Sequence, residues 1–198
     1  MRGRDPYFRG GLSISSKNLA TALLFCLLAS TRSVCAQTPT PAGTPSETFR
    51  DPFTVKFQFD DKHKVERRFD KTPYVSEKTV HVFPGEEFGI NVRREGEEII
   101  EISYQPDLKK ADLEFKFEVR KLGKQSIMML TIQSHLDKML IMEAWMLLPE
   151  YKEPVKTSLA PVLPRLMGME TWPQPIVKLE LRIQRLAAAP KGLAGTPQ

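Results

Sequence analysis

"IMMLTIQSHLDKMLIMEAWM", residues 127–146, holds five of the chain's eight methionines, one of its three histidines and one of its two tryptophans. Its reading decides the fold. As a helix it has some support: Ser134 and Asp137 resemble a capping box, and Lys, Met, Leu, Glu and Ala are good helix formers. Residues 139–148, however, are apolar except for Glu143, so such a helix has almost no polar face and must be buried all round. As strands, SIMMLTIQ and KMLIMEAWMLL form a hairpin joined at SHLD. Both would be near-continuously apolar, as suits the centre of a sandwich or a face covered by a loop. As a metal site, thioethers and His135 suit soft Cu(I). In extended strands, though, Met142 and Met146 share a face that Met139 does not, and Met128 and Met129 point oppositely. Of the loop methionines, Met167 and Met169, in LMGME, are spaced to point the same way.

The neighbouring sequence favours strands, although 135–148 taken alone stays open between strand and helix. LEFKFEVR (113–120) alternates strictly, with Leu113, Phe115, Phe117 and Val119 on one face and Glu114, Lys116, Glu118 and Arg120 on the other. FTVKFQF aligns Phe53, Val55, Phe57 and Phe59. EFGINVRR aligns Phe88, Ile90 and Val92; EIIEISY aligns Ile100, Ile102 and Tyr104. IVKLELRI aligns Val177, Leu179, Leu181 and Ile183, and shorter runs at 65–69 and 79–83 fit the same period. Turn-like clusters lie between them: PGEE at 84–87, EG at 95–96, QPDLKKAD at 105–112 and KLGKQ at 121–125. Strands about ten residues apart with short turns predict an all-β fold, an antiparallel immunoglobulin-like β-sandwich of seven to nine strands, with a closed barrel as the alternative.

The first 36 residues read as a signal peptide. Arg2, Arg4, Arg9 and Lys17 form a basic start, and LATALLFCLLA (19–29) is an apolar run. That run is too short to cross a bilayer, which takes about 20 residues. Val34 and Ala36 place small residues at −3 and −1 of a cut between Ala36 and Gln37. Arg32, three residues before Cys35, does not fit a lipoprotein signal, and no paired arginines precede the apolar run. The expected location is therefore periplasmic or secreted, with no membrane span after removal of the leader. Removal takes five Lys/Arg and one acid, leaving 24 basic and 23 acidic residues. Phosphate neutralisation needs a positive surplus, so nucleic acid is not an expected partner. The leader also takes both cysteines, so the core must hold the fold without disulfides.

Residues 37–51, rich in Pro and Thr, read as a disordered linker; 52–186 as the β-sandwich domain; and 187–198 as a disordered tail. No HExxH, GxSxG, SxxK or Gly-rich phosphate loop appears. His63, His81 and His135 lie far apart, and the acid pairs Glu86–Glu87 and Glu97–Glu98 sit beside turns, where charge is ordinarily solvated. The pattern predicts no catalytic residue, no metal site and no cofactor. A triad assembled in space stays open, because triads are defined by geometry rather than order.

Residues 149–175, PEYKEPVKTSLAPVLPRLMGMETWPQP, carry six prolines and read as a long Pro-rich loop before the last strand. Long ordered loops are often functional. Tyr151 and Trp172 are its candidate partner-binding residues, because such side chains anchor interfaces. The competing expectation is that Val155, Leu159, Val162, Leu163 and Trp172 fold over a sheet edge and complete the core. KTSLAPVLPRLMGMETWPQPIVKLELRIQRL (156–186), after a leader and a disulfide-free β-rich region, resembles small exported β-sandwich proteins of Gram-negative bacteria with no assigned biochemical role. The resemblance implies a periplasmic or secreted location and a sandwich fold, and it carries over no site residue. The expected function is non-catalytic binding of a protein or cell-envelope component. The alternatives are a periplasmic copper-binding protein using Met side chains, or a hydrolase with an unrecognised site.

Overall fold

The computed structural model describes residues 48–123 and 125–190, and these are built from strands joined by turns, with one 3₁₀ turn at Leu108–Lys110 and no α-helix among them. In chain order the strands are β1 (Phe49–Arg50), β2 (Phe53–Gln58), β3 (Lys64–Phe69), β4 (Thr72–Pro73), β5 (Val75–Ser76), β6 (Thr79–Val82) and β7 (Glu86–Glu95). Then follow β8 (Glu98–Gln105), β9 (Leu113–Leu122), β10 (Gln125–Ser134), β11 (Met139–Leu147), β12 (Val155–Thr157), β13 (Met167–Trp172) and β14 (Lys178–Ala187). Two five-stranded antiparallel sheets result. Sheet I has the order β13-β10-β9-β7-β8, and sheet II has β12-β11-β14-β6-β5. The ribbons β1–β4 and β2–β3 stand outside them.

The period-two pattern explains the layering. One continuous core draws Phe88, Ile90, Leu113, Phe115 and Phe117 from sheet I and Val80, Leu140, Ala144, Leu179 and Leu181 from sheet II. Two sheets facing each other across one apolar core form a sandwich. Each such side chain contributes about 1.5–3 kcal/mol on burial. The two sheets hold ten strands, more than the seven to nine expected, because the Pro-rich segment and the short 75–76 run each supply edge strands.

Residues 127–147 are strands, but not a hairpin. β10 pairs with β9 and β13, whereas β11 pairs with β12 and β14. SHLD therefore carries the chain from one sheet to the other. Ser134 is fully buried and its Oγ accepts from the Leu136 amide at 3.3 Å, so this crossing satisfies part of its own backbone. Both strands alternate after all: Met128, Leu130 and Ile132 face the core from β10, and Leu140, Met142 and Ala144 from β11. The greasy outer face of β11 is covered in two ways. Trp145 lies beneath the Arg182 guanidinium, 3.9 Å from the ring centroid, and Leu147 is buried with Val65 and Val177 under Phe57 and Phe69 of the β2–β3 hairpin.

A second correction concerns β8. Ile100 is exposed, and Ile99 is buried with Ile102. The β7–β8 register pairs Arg93 with Glu101 and Arg94 with Ile99, so Ile100 is an extra residue in a bulge that resets the alternation. The same device occurs in β14, where the pairing steps from Arg185 to Ile183 and the buried series runs Leu181, Ile183, Leu186.

Residues 149–175 are more than a loop. They contain β12, on the edge of sheet II, and β13, on the edge of sheet I, so this segment lines the same flank of both sheets. Gly168 lies close against this segment: a Cβ would stand 3.2 Å from Val162 Cγ2, a tight approach, and Val162 is buried and bridges to Leu140. The ordered domain also starts before residue 52, since Phe49–Arg50 pairs with Thr72–Pro73 and Arg50 is buried. The expected signal peptide, its expected cut at Ala36–Gln37, most of the expected linker and residues 191–198 lie outside the described residues. No helix among the described residues is long and apolar enough to cross a membrane.

Candidate functional site

Two places depart from a plain charged exterior over an apolar interior. The first is a polar cluster at the β1 arm. Arg50 is 6% exposed, because its short strand lays the side chain into the fold. Its guanidinium donates to both Glu86 carboxylate oxygens, at 2.5 and 2.7 Å, and to the Pro73 and His81 carbonyls at 2.8 and 2.7 Å. It also lies over Tyr74 at 3.7 Å, and Tyr74 stacks on Tyr104 at 4.0 Å. Glu86 in turn accepts from the Phe83 amide at 2.9 Å. Glu86 is thus the enclosed partner of Arg50 rather than solvated turn charge, because β1 folds over it. The other acids of the two pairs behave as surface charge: Glu87 faces Lys116 at 3.6 Å and Glu97 faces Lys138 at 3.0 Å.

His81 adjoins this cluster on β6. Its Nε2 lies 2.8 Å from Ser76 Oγ, while its Nδ1 is buried without a partner. Burial pushes the imidazole down to about 4, with Lys178, Arg50 and Arg182 adding repulsion that Glu180 offsets only in part. The ring is therefore neutral at neutral pH. Glu180 stands directly across from His81 in the ladder. Burial would raise its carboxyl, but the hydrogen bond from Lys178 at 2.8 Å overrides this and holds it below the ordinary range. Serine, histidine and carboxylate are thus neighbours, but the carboxylate engages a lysine and leaves Nδ1 unoriented. A triad needs that third contact to set the tautomer. Among the described residues the other histidines are surface groups: His63 is bound to Asp60 at 2.8 Å, and His135 to Glu114 at 2.7 Å. No group of three or more His, Cys, Asp or Glu side chains among the described residues is arranged to hold a metal ion.

The second place is the flank formed by residues 149–175. Among the described residues, seven large apolar side chains are exposed, and four of them (Tyr151, Leu166, Met167 and Met169) come from this segment. Tyr151 is 52% exposed, and its carbonyl accepts from Arg67 at 2.8 Å. Trp172 is placed differently. It is 7% exposed, edge-on to Phe117 at 6.4 Å, and its Nε1 donates to Thr157 Oγ1 at 3.0 Å. That bond links β13 to β12 and so ties the two sheets together at their flank. The structure therefore does not bring Tyr151 and Trp172 into one surface: the first faces solvent and the second packs inward. Beside Met167 lies a depression of about 210 Å³, floored by Phe115 and lined by Glu87, Glu114, Lys116, Thr131 and Gln133.

Sequence reasoning missed the Arg50–Glu86 pair, which joins residues 36 positions apart, and the Ser76–His81 contact, which arises only once β5 and β6 pair. That Met167 and Met169 share a face was readable from their spacing of two; that the face is exposed was not. No family model matches the chain, and no curated protein or solved structure matches it either.

Proposed function

We propose that this chain is an exported, non-catalytic β-sandwich of immunoglobulin-like kind, akin to the small exported proteins of Gram-negative bacteria that residues 156–186 resemble. It works in the periplasm or outside the cell by binding a protein or cell-envelope component. One observation carries the reading. The flank made by 149–175 concentrates the exposed apolar side chains, while outer faces elsewhere carry ion pairs such as Arg93–Glu101 and Arg120–Glu118. Large apolar side chains left exposed on a folded domain mark interaction sites when they gather in one segment. β13 is also the last strand of its sheet, and an edge strand can accept an extended segment of a partner. In this reading Tyr151, Leu166 and Met167 touch the partner, and Trp172 holds the flank in shape from beneath. The charge balance of the processed chain argues for a partner other than nucleic acid.

A photo-crosslinking amino acid placed at Tyr151 or Met169, and at Ser103 on the opposite edge strand β8, tests this in cells that express the chain with its leader. One adduct of common mass from the first two sites and none from Ser103 is the expected result; no adduct, or equal adducts from all three, contradicts it. Mass spectrometry of the recovered protein is expected to show an N-terminus at Gln37, and an intact leader on exported protein would remove that part of the account.

A further inference from the structure

We propose that the open edge of β13 pairs with the β13 edge of a second copy of this chain, on a two-fold axis at Met169, joining two copies of sheet I into one. The inference rests on the reading of this flank as a contact surface and names its partner. The ladder decides which groups β13 offers. The Ser134 amide donates to the Leu166 carbonyl at 3.0 Å, on the β10 side. Opposed residues in an antiparallel ladder alternate between hydrogen-bonded and non-hydrogen-bonded pairs. The β10–β13 register therefore bonds Gly168, Glu170 and Trp172 to β10 and turns the N–H and C=O groups of Met167, Met169 and Thr171 to the open edge. The side chains of those same three residues are exposed. Among the described residues, β10 is the only strand that pairs with β13.

The ends of the strand select one register. Arg165 has a φ of 55°, which breaks the extended run just before β13. Pro173, directly after Trp172, has no N–H to donate. Antiparallel pairing centred on Met169 sets that residue against its own counterpart and Met167 against the copy's Thr171. All three resulting pairs use edge-facing groups, and each exchanges two backbone hydrogen bonds, about six in all. Centring on Met167 would bring Met169 against the copy's Arg165, and centring on Thr171 would bring Met169 against the copy's Pro173; both lose bonds.

Charge favours the copy as the occupant. Glu170, the one charged residue of β13, comes opposite the copy's Gly168, and its carboxylate already accepts from the Ala160 amide at 2.7 Å. No like charges face each other, and methionine meets methionine at the axis, where its flexible side chain fills the contact. The far edge of sheet I is built otherwise: β8 carries Glu98 and Glu101 and bulges at Ile100, features that guard an edge against pairing. Identical surfaces meeting on a two-fold axis close after two copies, so the product is a dimer rather than a fibre. Each copy keeps its own core, so dilution is expected to return folded monomers.

Sedimentation equilibrium of the processed protein over a range of concentrations tests it. The expected result is a reversible monomer–dimer equilibrium. Met169→Lys, which sets two ammonium groups together at the axis, should weaken association by about tenfold or more and keep the melting temperature of the dilute protein. Ser103→Lys, on β8, should change neither. Met169→Cys should oxidise to a covalent dimer, because bonded pairs hold their Cα atoms about 5.5 Å apart, within disulfide range; Ser103→Cys should not. The native cysteines, Cys26 and Cys35, precede Gln37 and do not compete. A monomer at every concentration, or a dimer that survives Met169→Lys, overturns the pairing. The two readings separate by mass: a cellular crosslink at Met169 whose adduct is not twice the chain keeps partner capture and removes the second copy as the partner.

Discussion

The β1 arm and the β13 edge both lie at margins of the sandwich, and they depart from ordinary burial in opposite directions. At the arm a charged side chain is enclosed: Arg50 is 6% exposed, and its guanidinium has Glu86, two carbonyls and the Tyr74 ring as partners. At the edge, apolar side chains are open to water: Met167 and Met169 are more than half exposed. Enclosing a charge is tolerable only when it is paired and hydrogen-bonded, and the arm meets that condition. Exposing methionines does nothing for the fold. The contrast separates a place built to hold the chain together from one available for contact.

The largest effects are expected where that separation is broken at the structural side. Glu86→Ala leaves Arg50 enclosed without its counter-charge, and breaking a buried pair in this way costs about 3–5 kcal/mol. Replacing both partners, Arg50→Met with Glu86→Gln, is expected to recover most of that loss, and denaturant unfolding of the two variants measures it. Trp172→Ala should cost a similar amount, about 3–5 kcal/mol, because it opens a cavity beside Phe117 and cuts the Thr157 bond. A Trp172 variant with wild-type stability but lost partner capture would instead return this residue to the contact surface.

His81 sharpens the comparison by pH. Its imidazole is pushed from the usual 6.5 to about 4 by burial, so the folded state resists a proton that the unfolded chain accepts. Between about pH 6.5 and 4 the unfolded state binds more protons, and stability falls as pH falls. Below about 4 both states are protonated and the full penalty, about 3 kcal/mol, is present. His81→Leu should flatten this part of the stability–pH curve. Glu180, held low by Lys178, contributes a loss of the same sign, since its stabilisation disappears as acid protonates the folded carboxylate. A curve unchanged by His81→Leu would mean that the ring is not enclosed in solution.

The comparison also shows what was readable in the sequence. Alternation in 113–120 and 177–183 named the core residues Leu113, Phe115, Phe117, Leu179 and Leu181, because neither stretch contains a bulge and the one in β14 falls beyond Ile183. It failed at Ile99 and Ile100, where one bulged residue inverts the faces and no local signal marks the extra position. It placed β10 and β11 as strands but joined them as a hairpin, because periodicity speaks for faces and is silent on which sheet a strand enters. Six prolines suggested an irregular segment, yet edge strands tolerate proline at their ends, and β12 and β13 fit between them. Arg50 lay in what read as linker, since nothing local announces an ion pair with a residue 36 positions away.

The most direct test sets the two margins side by side: equilibrium unfolding of Met167→Ser/Met169→Ser and of Glu86→Ala under identical conditions. The exposed pair should stay within about 0.5 kcal/mol of the parent, as surface substitutions do, while Glu86→Ala loses several times that. A methionine double variant that unfolds as readily as Glu86→Ala would mean that the β13 edge is part of the structural core, and the division between a holding margin and a contact margin would fall.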